Sequence, residues 1–207
     1  MISLNIPPVG NRSRRQIARH RGFSLVTVMI ILVVVSLLGV AASQMVLLGE
    51  RSARYDRDWQ IAFQAAEAAL LDAEFDIRGP NTSTATRVLG FSATSLLGFA
   101  AGCGTGTDRG LCLPTTSGKA VWYGLDFTDE SGSAKTVQFG EFTGRSLSTG
   151  NAGVQPAMRP RYIIEAVPDL NPGGSASVQK VLYRVTAMGF GPRKETQAVV
   201  QMYFRKE

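Results

Sequence analysis

Residues 23 to 49, FSLVTVMIILVVVSLLGVAASQMVLLG, carry no charged side chain. A bilayer core is crossed by about 20 helical residues at 1.5 Å rise each, so this tract spans it with more than a turn to spare. A water-soluble fold would have to cover such a helix on every side, whereas lipid covers it without further structure. Arg12, Arg14, Arg15, Arg19 and Arg21 precede the tract and no acid does. The positive-inside bias therefore places the N-terminus in the cytoplasm and everything after Gly49 in the periplasm, as a single-pass protein of the inner membrane.

The formal net charge of +6 invites a nucleic-acid reading. Its location argues against that partner. Beyond the leader, 17 basic side chains face 16 acidic ones, so the excess charge belongs to residues 1–22. His20 is the sole histidine, and it lies in that leader. The exported part therefore has no histidine to serve as a base for a serine or cysteine nucleophile, and no catalytic residue is expected. Two cysteines, Cys103 and Cys112, cannot supply the four ligands of a structural zinc site, and an oxidising compartment favours joining them as a disulfide. A ring of that size, CGTGTDRGLC, stabilises by about 2.5–3 kcal/mol in the loop-entropy account. Two free thiols are the other reading. Asp126, Asp129, Glu130 and Asp169 lack the alternating acidic spacing of a calcium loop and read as solvated turn acids. No phosphate-cradling glycine loop links a strand to a helix. Neither a cofactor nor a metal is expected.

The tract has a second reading as a cleaved secretory signal, since Val40-Ala41-Ala42 resembles a small-residue cut site. Against it, the apolar stretch exceeds a usual signal core, and hydrophobicity resumes as MVLLG past the supposed cut. After Gly49 the sequence continues without a breaker as ERSARYDRDWQIAFQAAEAALLDAEFDIRG. Tyr55, Trp59, Ala62, Phe63, Ala66, Leu70, Ala73 and Ile77 recur at steps of three and four, one apolar stripe of an amphipathic helix. Glu50 with Arg54, and Arg54 with Asp58, are spaced to pair on the opposite face. Gly79-Pro80 stops the helix, so one element is predicted from Phe23 to Arg78. Its outer half needs a partner in the same chain.

Residues 81–118 are rich in Ser, Thr and Gly and read as loops with short elements. Strands are predicted over 120–127 and 136–142, flanking the turn Asp129-Glu130-Ser131-Gly132, and over 161–167, 178–188 and 196–204. Val181, Tyr183, Val185 and Ala187 alternate with more polar neighbours, as do Ala198, Val200, Met202 and Phe204, the pattern of an antiparallel sheet covered on one face. Laying the amphipathic stripe across that face buries both surfaces. The expected class is α+β: a basic leader over 1–22, a long helix over 23–79 with a transmembrane part (23–49) and an amphipathic part (50–79), and a periplasmic domain over 80–207 whose C-terminal antiparallel sheet packs on the helix.

Together these features resemble the type IV pilins. Arg21-Gly22-Phe23-Ser24-Leu25 looks like the leader boundary of that family, which implies cleavage by prepilin peptidase after Gly22 and N-methylation of Phe23. The helix text Ala62-Phe63-Gln64-Ala65-Ala66-Glu67-Ala68-Ala69-Leu70 and the ending Tyr183-Arg184-Val185-Thr186-Ala187 are similar to those of PilX-type minor pilins. The resemblance implies a non-enzymatic pilus assembly protein whose partners are other minor pilins, the major pilin, prepilin peptidase, the inner-membrane assembly platform and the lipid bilayer, with a final location in the pilus or at its tip.

Two departures bear on the role. Major pilins carry glutamate at the fifth position after the cut, where a carboxylate neutralises a neighbour's N-terminal amine in an apolar filament core; here the residue is Thr27. A hydroxyl offers a hydrogen bond and no charge, which suits a priming or tip position where one neighbour is missing, or marks a tolerated polar residue in an anchor. The leader is also long for the family. Within the span, Ser36, Gly39 and Ser43 form a small-residue stripe suited to close helix packing, although such residues are common in spanning helices. A minor pseudopilin of type II secretion would use the same rod. A non-polymerising, singly anchored periplasmic binding domain is the alternative from another class.

Overall fold

The structure, a computed structural model, describes residues 23–79, 87–150, 154–169 and 180–206. The chain divides into two compact units, Met1–Glu50 and Arg51–Glu207. The described part of the first is helix alone. Helix α1 runs from Phe23 to Arg78, as the sequence predicts, and crosses the boundary between the units. Gly79 closes it with φ of 81° and donates its N–H to the Phe75 carbonyl at 2.8 Å, the left-handed cap that glycine adopts without a Cβ penalty. Lys206, near the far end of the chain, donates to the Ile77 carbonyl at 2.9 Å.

In the second unit the elements follow as helix α2 (Arg87–Gly90) and strands β1 (Leu111–Cys112), β2 (Val137–Gln138), β3 (Arg161–Pro168), β4 (Val181–Phe190) and β5 (Gln197–Phe204). The sheet has the order β1-β3-β4-β5, with β2 sharing the outer edge of β3. The three long strands are antiparallel neighbours, with Tyr162 opposite Ala187 and Val185 opposite Met202. Strand β1 is parallel to β3, so the sheet is mixed where a purely antiparallel one was expected. A pair of residues carries no period-two signal, and the Gly110 carbonyl, which accepts the Ile164 N–H at 2.8 Å, sets this register.

Two predicted strands resolve otherwise. Within 120–127 the chain forms a 3-10 turn over Val121–Gly124, followed by an Asp126 side chain that accepts the Thr128 N–H at 2.7 Å. Over 136–142 only Val137–Gln138 pairs, because the chain then turns at Gly140, whose φ is 82° and whose N–H is claimed by Asp72 on α1 at 2.7 Å.

The core lies on both sides of the sheet. On one, Ala69, Ala73 and Ile77 of α1 meet Tyr162, Ile164, Ala166, Val181, Tyr183, Val185 and Ala187. On the other, Ile163 and Phe190 pack with Cys103, Cys112, Phe127 and Met158, and with the partly buried Val121 and Trp122. The second face was expected to be open; the 3-10 turn and the disulfide-linked loop cover it at β3, while Gln197, Val199, Gln201 and Tyr203 of β5 stay exposed or half-exposed. The helix touches the sheet most closely at Gly189, where an added Cβ would strike the α1 backbone at Ala62 and Ala66. Alanines on α1 and a glycine on β4 are what permit that approach.

Candidate functional site

From Ser24 to Gly49 every residue of α1 is exposed, including Leu25, Met29, Leu32, Leu37 and Leu48. Among the described residues this is the one helix long and apolar enough to cross a membrane. The Ser36 hydroxyl donates to the Leu32 carbonyl at 2.7 Å and the Ser43 hydroxyl to the Gly39 carbonyl at 3.0 Å. Both are thereby satisfied inside the helix, which is what an apolar surrounding demands of a hydroxyl. Gly39 has open space where a Cβ would stand. Ser36, Gly39 and Ser43 share one side of the rod, and Thr27, nine residues before Ser36, falls about half a turn away at the standard helical period. Thr27 is exposed and has a partner of its own. Phe23 opens the helix; Gly22 and the leader lie outside the described residues.

In the second unit the face that α1 turns inward keeps most of the stripe the sequence suggested but not its first two members. Ala62, Ala66, Ala73 and Ile77 are buried, but Tyr55 and Trp59 are 62% and 52% exposed, with Trp59 stacked on the half-buried Phe63. Its added members are aspartates. Asp58, Asp72 and Asp76 are buried, in phase with Ala62, Ala65 and Ala69 at alternating steps of four and three. Asp58, expected to pair with Arg54 on the outer face, instead meets Arg57 at 3.4 Å and Arg193 of the β4–β5 turn at 3.5 Å.

Each buried carboxylate fastens a loop to the helix. Asp72 accepts the Gly140 N–H and the Thr143 hydroxyl, with Arg145 at 3.7 Å; burial nevertheless raises its pKa. Asp76 accepts the Tyr162 hydroxyl at 3.0 Å and faces Arg87 at 3.0 Å. Burial pushes its pKa from 3.8 to about 6, against the opposing pull of Arg87 and Tyr162, and its other oxygen has no hydrogen-bond partner among the described residues. Arg87 lies over the Phe142 ring at 3.8 Å and donates to the Thr107 and Arg109 carbonyls at 3.1 and 2.9 Å. Thr107 and Arg109 sit inside the loop closed by the Cys103–Cys112 disulfide, so one buried arginine joins that loop to α1. On the second sheet face, Arg184 grips the fully buried Glu165 through two bonds of 2.8 and 2.9 Å.

Asp72, Asp76, Arg87, Glu165 and Arg184 are engaged with one another or with the loops they hold. Asp126 and Asp129 hold their own turns, with pKa values lowered by bonds from Thr128 and Ser131, and Asp169 pairs with Arg205 at 2.8 Å. The described residues contain no cluster of three or more ligating side chains. The second unit is a set of loops and strands fastened to its own stretch of α1, and the apolar surface over Ser24–Gly49 is uncovered by any of the described residues.

Two family models match this chain, PilX N-terminal over residues 21–71 and the type IV pilus assembly protein PilX C-terminal region over residues 108–206. The chain belongs to the PilX family of type IV pilus assembly proteins. No curated protein and no solved structure is a match. The N-terminal PilX match begins at Arg21, beside the Gly22-Phe23 junction, and takes in the exposed rod together with the first buried alanines. The C-terminal one spans β1 to β5 and the loops that Asp72, Asp76 and Arg87 hold. PilX proteins are structural components, and membership implies contact with other parts of the pilus machinery.

Sequence reasoning missed Asp72, Asp76, Arg87, Glu165 and Arg184. The aspartates could have been found from their phase with the alanines. Arg87 could not, since only the fold brings it to Asp76.

Proposed function

We propose that this PilX-family minor pilin primes a type IV pilus or takes a place in it, without enzymatic activity, after prepilin peptidase removes residues 1–22 and methylates Phe23. The observation that carries the reading is the uncovered rod from Ser24 to Gly49, whose serine hydroxyls are already bonded within the helix. Such a surface is held first by lipid, with residues 80–207 as a periplasmic domain, and afterwards by the rods of other minor pilins and the major pilin on the assembly platform. Thr27 in place of a carboxylate fits a subunit that has no amine to neutralise below it, as at a tip or priming complex. Ser36, Gly39 and Ser43 are the side along which another rod would approach.

N-terminal mass analysis of the full chain recovered from membranes and from sheared surface fibres tests this. The expected product starts at methylated Phe23 in both fractions, and Gly22→Ala abolishes both processing and surface pili. An intact leader, a start at Ser43, or a Gly22→Ala strain with normal pili would overturn it; lost protein secretion with normal pili would assign the rod to a secretion apparatus instead.

A further inference from the structure

Just past the apolar tract, Arg51, Arg54, Tyr55, Arg57 and Asp58 of α1 and Arg193 of the β4–β5 turn line an open groove of about 480 Å³. Four guanidinium groups share it with a single carboxylate. Asp58 is already divided between Arg57 and Arg193, while Arg51 and Arg54 have no ion-pair partner among the described residues. Arg193 also lies over the Tyr55 ring at 5.5 Å, which keeps its guanidinium at the groove.

We infer that this groove binds the phosphate of an anionic phospholipid headgroup on the periplasmic face of the membrane, an inference that rests on reading residues 23–49 as the span. Three observations converge. Arg51 is two residues past Gly49, within one helical turn of the last apolar residue, and the interfacial layer outside a bilayer core is several ångströms deep. Tyr55, about one turn past Arg51, and Trp59, about two turns past it, are exposed, and theirs are the ring types that settle at headgroup depth. Arginine's planar fork pairs with phosphate oxygens two at a time, and lipid charge offsets basic residues that would otherwise oppose the charge bias across the membrane.

The test uses the full chain in nanodiscs of equal phosphatidylglycerol and phosphatidylcholine, with the retained lipid identified by native mass spectrometry. The expected result is about fivefold enrichment of phosphatidylglycerol, falling to near parity in Arg51→Gln/Arg54→Gln, whose side chains hold nothing else in place. Equal retention of both lipids by the inserted wild-type chain, or undiminished enrichment in the double variant, overturns the headgroup site and leaves the span intact. Failure of the chain to enter nanodiscs at all overturns the span and the site together. Enrichment erased by added inorganic phosphate assigns the groove to a soluble anion, and absent enrichment with loss of crosslinks to other pilins assigns it to an acidic protein surface; either result overturns the lipid.

Discussion

Helix α1 hides its surface in two opposite ways along its length. From Ser24 to Gly49 it is built largely of Leu, Val, Ile and Met with none of the described residues packed on it, and its Ser36 and Ser43 hydroxyls bond to its own backbone. From Asp58 to Ile77 the inward face is alanine and aspartate, and every buried carboxylate reaches another part of the chain. Large side chains suit a rod that faces a fluid or interchangeable apolar partner, because no single geometry has to be met. Small side chains suit a fixed partner, because they bring backbones close and let the aspartates specify which loop sits where. The lesson is that apolar content locates the interchangeable interface, and the embedded charges locate the permanent one.

The sharpest break of that contrast is a matched pair of glycine substitutions. Gly189→Val should cost about 3 kcal/mol or more, because the new side chain drives β4 away from α1. Gly39→Val has room and should leave thermal unfolding of the head within about 0.5 kcal/mol of wild type when the full chain is followed in detergent by near-UV circular dichroism. A large effect at Gly39 would mean that the rod too has a fixed partner in the chain.

Acid should reveal the embedded charges. Burial raises Asp76 from 3.8 to about 6, so the folded chain holds that proton more tightly than the unfolded one. The resulting stabilisation is complete below about pH 4 and lost as pH rises through about 6, a change on the order of 3 kcal/mol. Denaturant titrations of wild type and Asp76→Asn across that window should diverge, with the steeper fall toward neutral pH in wild type and only the contribution of Asp72, which has the same sign, left in the variant. Parallel curves would show that Asp76 is not the titrating group.

Opening the disulfide comes next. Cys103→Ser/Cys112→Ser should lower stability by about 2.5 kcal/mol, and hydrogen exchange should rise over residues 103–112 before it does in β3 and β4. Uniform loss across the sheet would show that the loop is integral to the core rather than fastened onto it. The smallest effect is expected at Ser43→Ala, about 0.5 kcal/mol or less in micelles, since its hydroxyl bonds only its own helix. A strong assembly defect with unchanged stability would place Ser43 in rod-to-rod contact.

Local pattern by itself determined the rod, the run of α1 to Arg78, its stop at Gly79 and the three long strands. Each rests on near-neighbour chemistry: unbroken apolar length, three-and-four spacing, a glycine terminator, an apolar run bounded by turn residues for β3 and alternation along β4 and β5. Only tertiary structure decided the parallel pairing of β1, the 3-10 turn at Val121–Gly124, the shortening of β2 and the exposure of Tyr55 and Trp59. These depend on partners far along the chain: Asp72 claiming Gly140, Gly110 meeting Ile164, Arg87 bridging Asp76 to the disulfide loop. An aspartate reads as a surface residue until the fold supplies its donors, because the cost of burying a charge is set by what surrounds it and not by the residue itself.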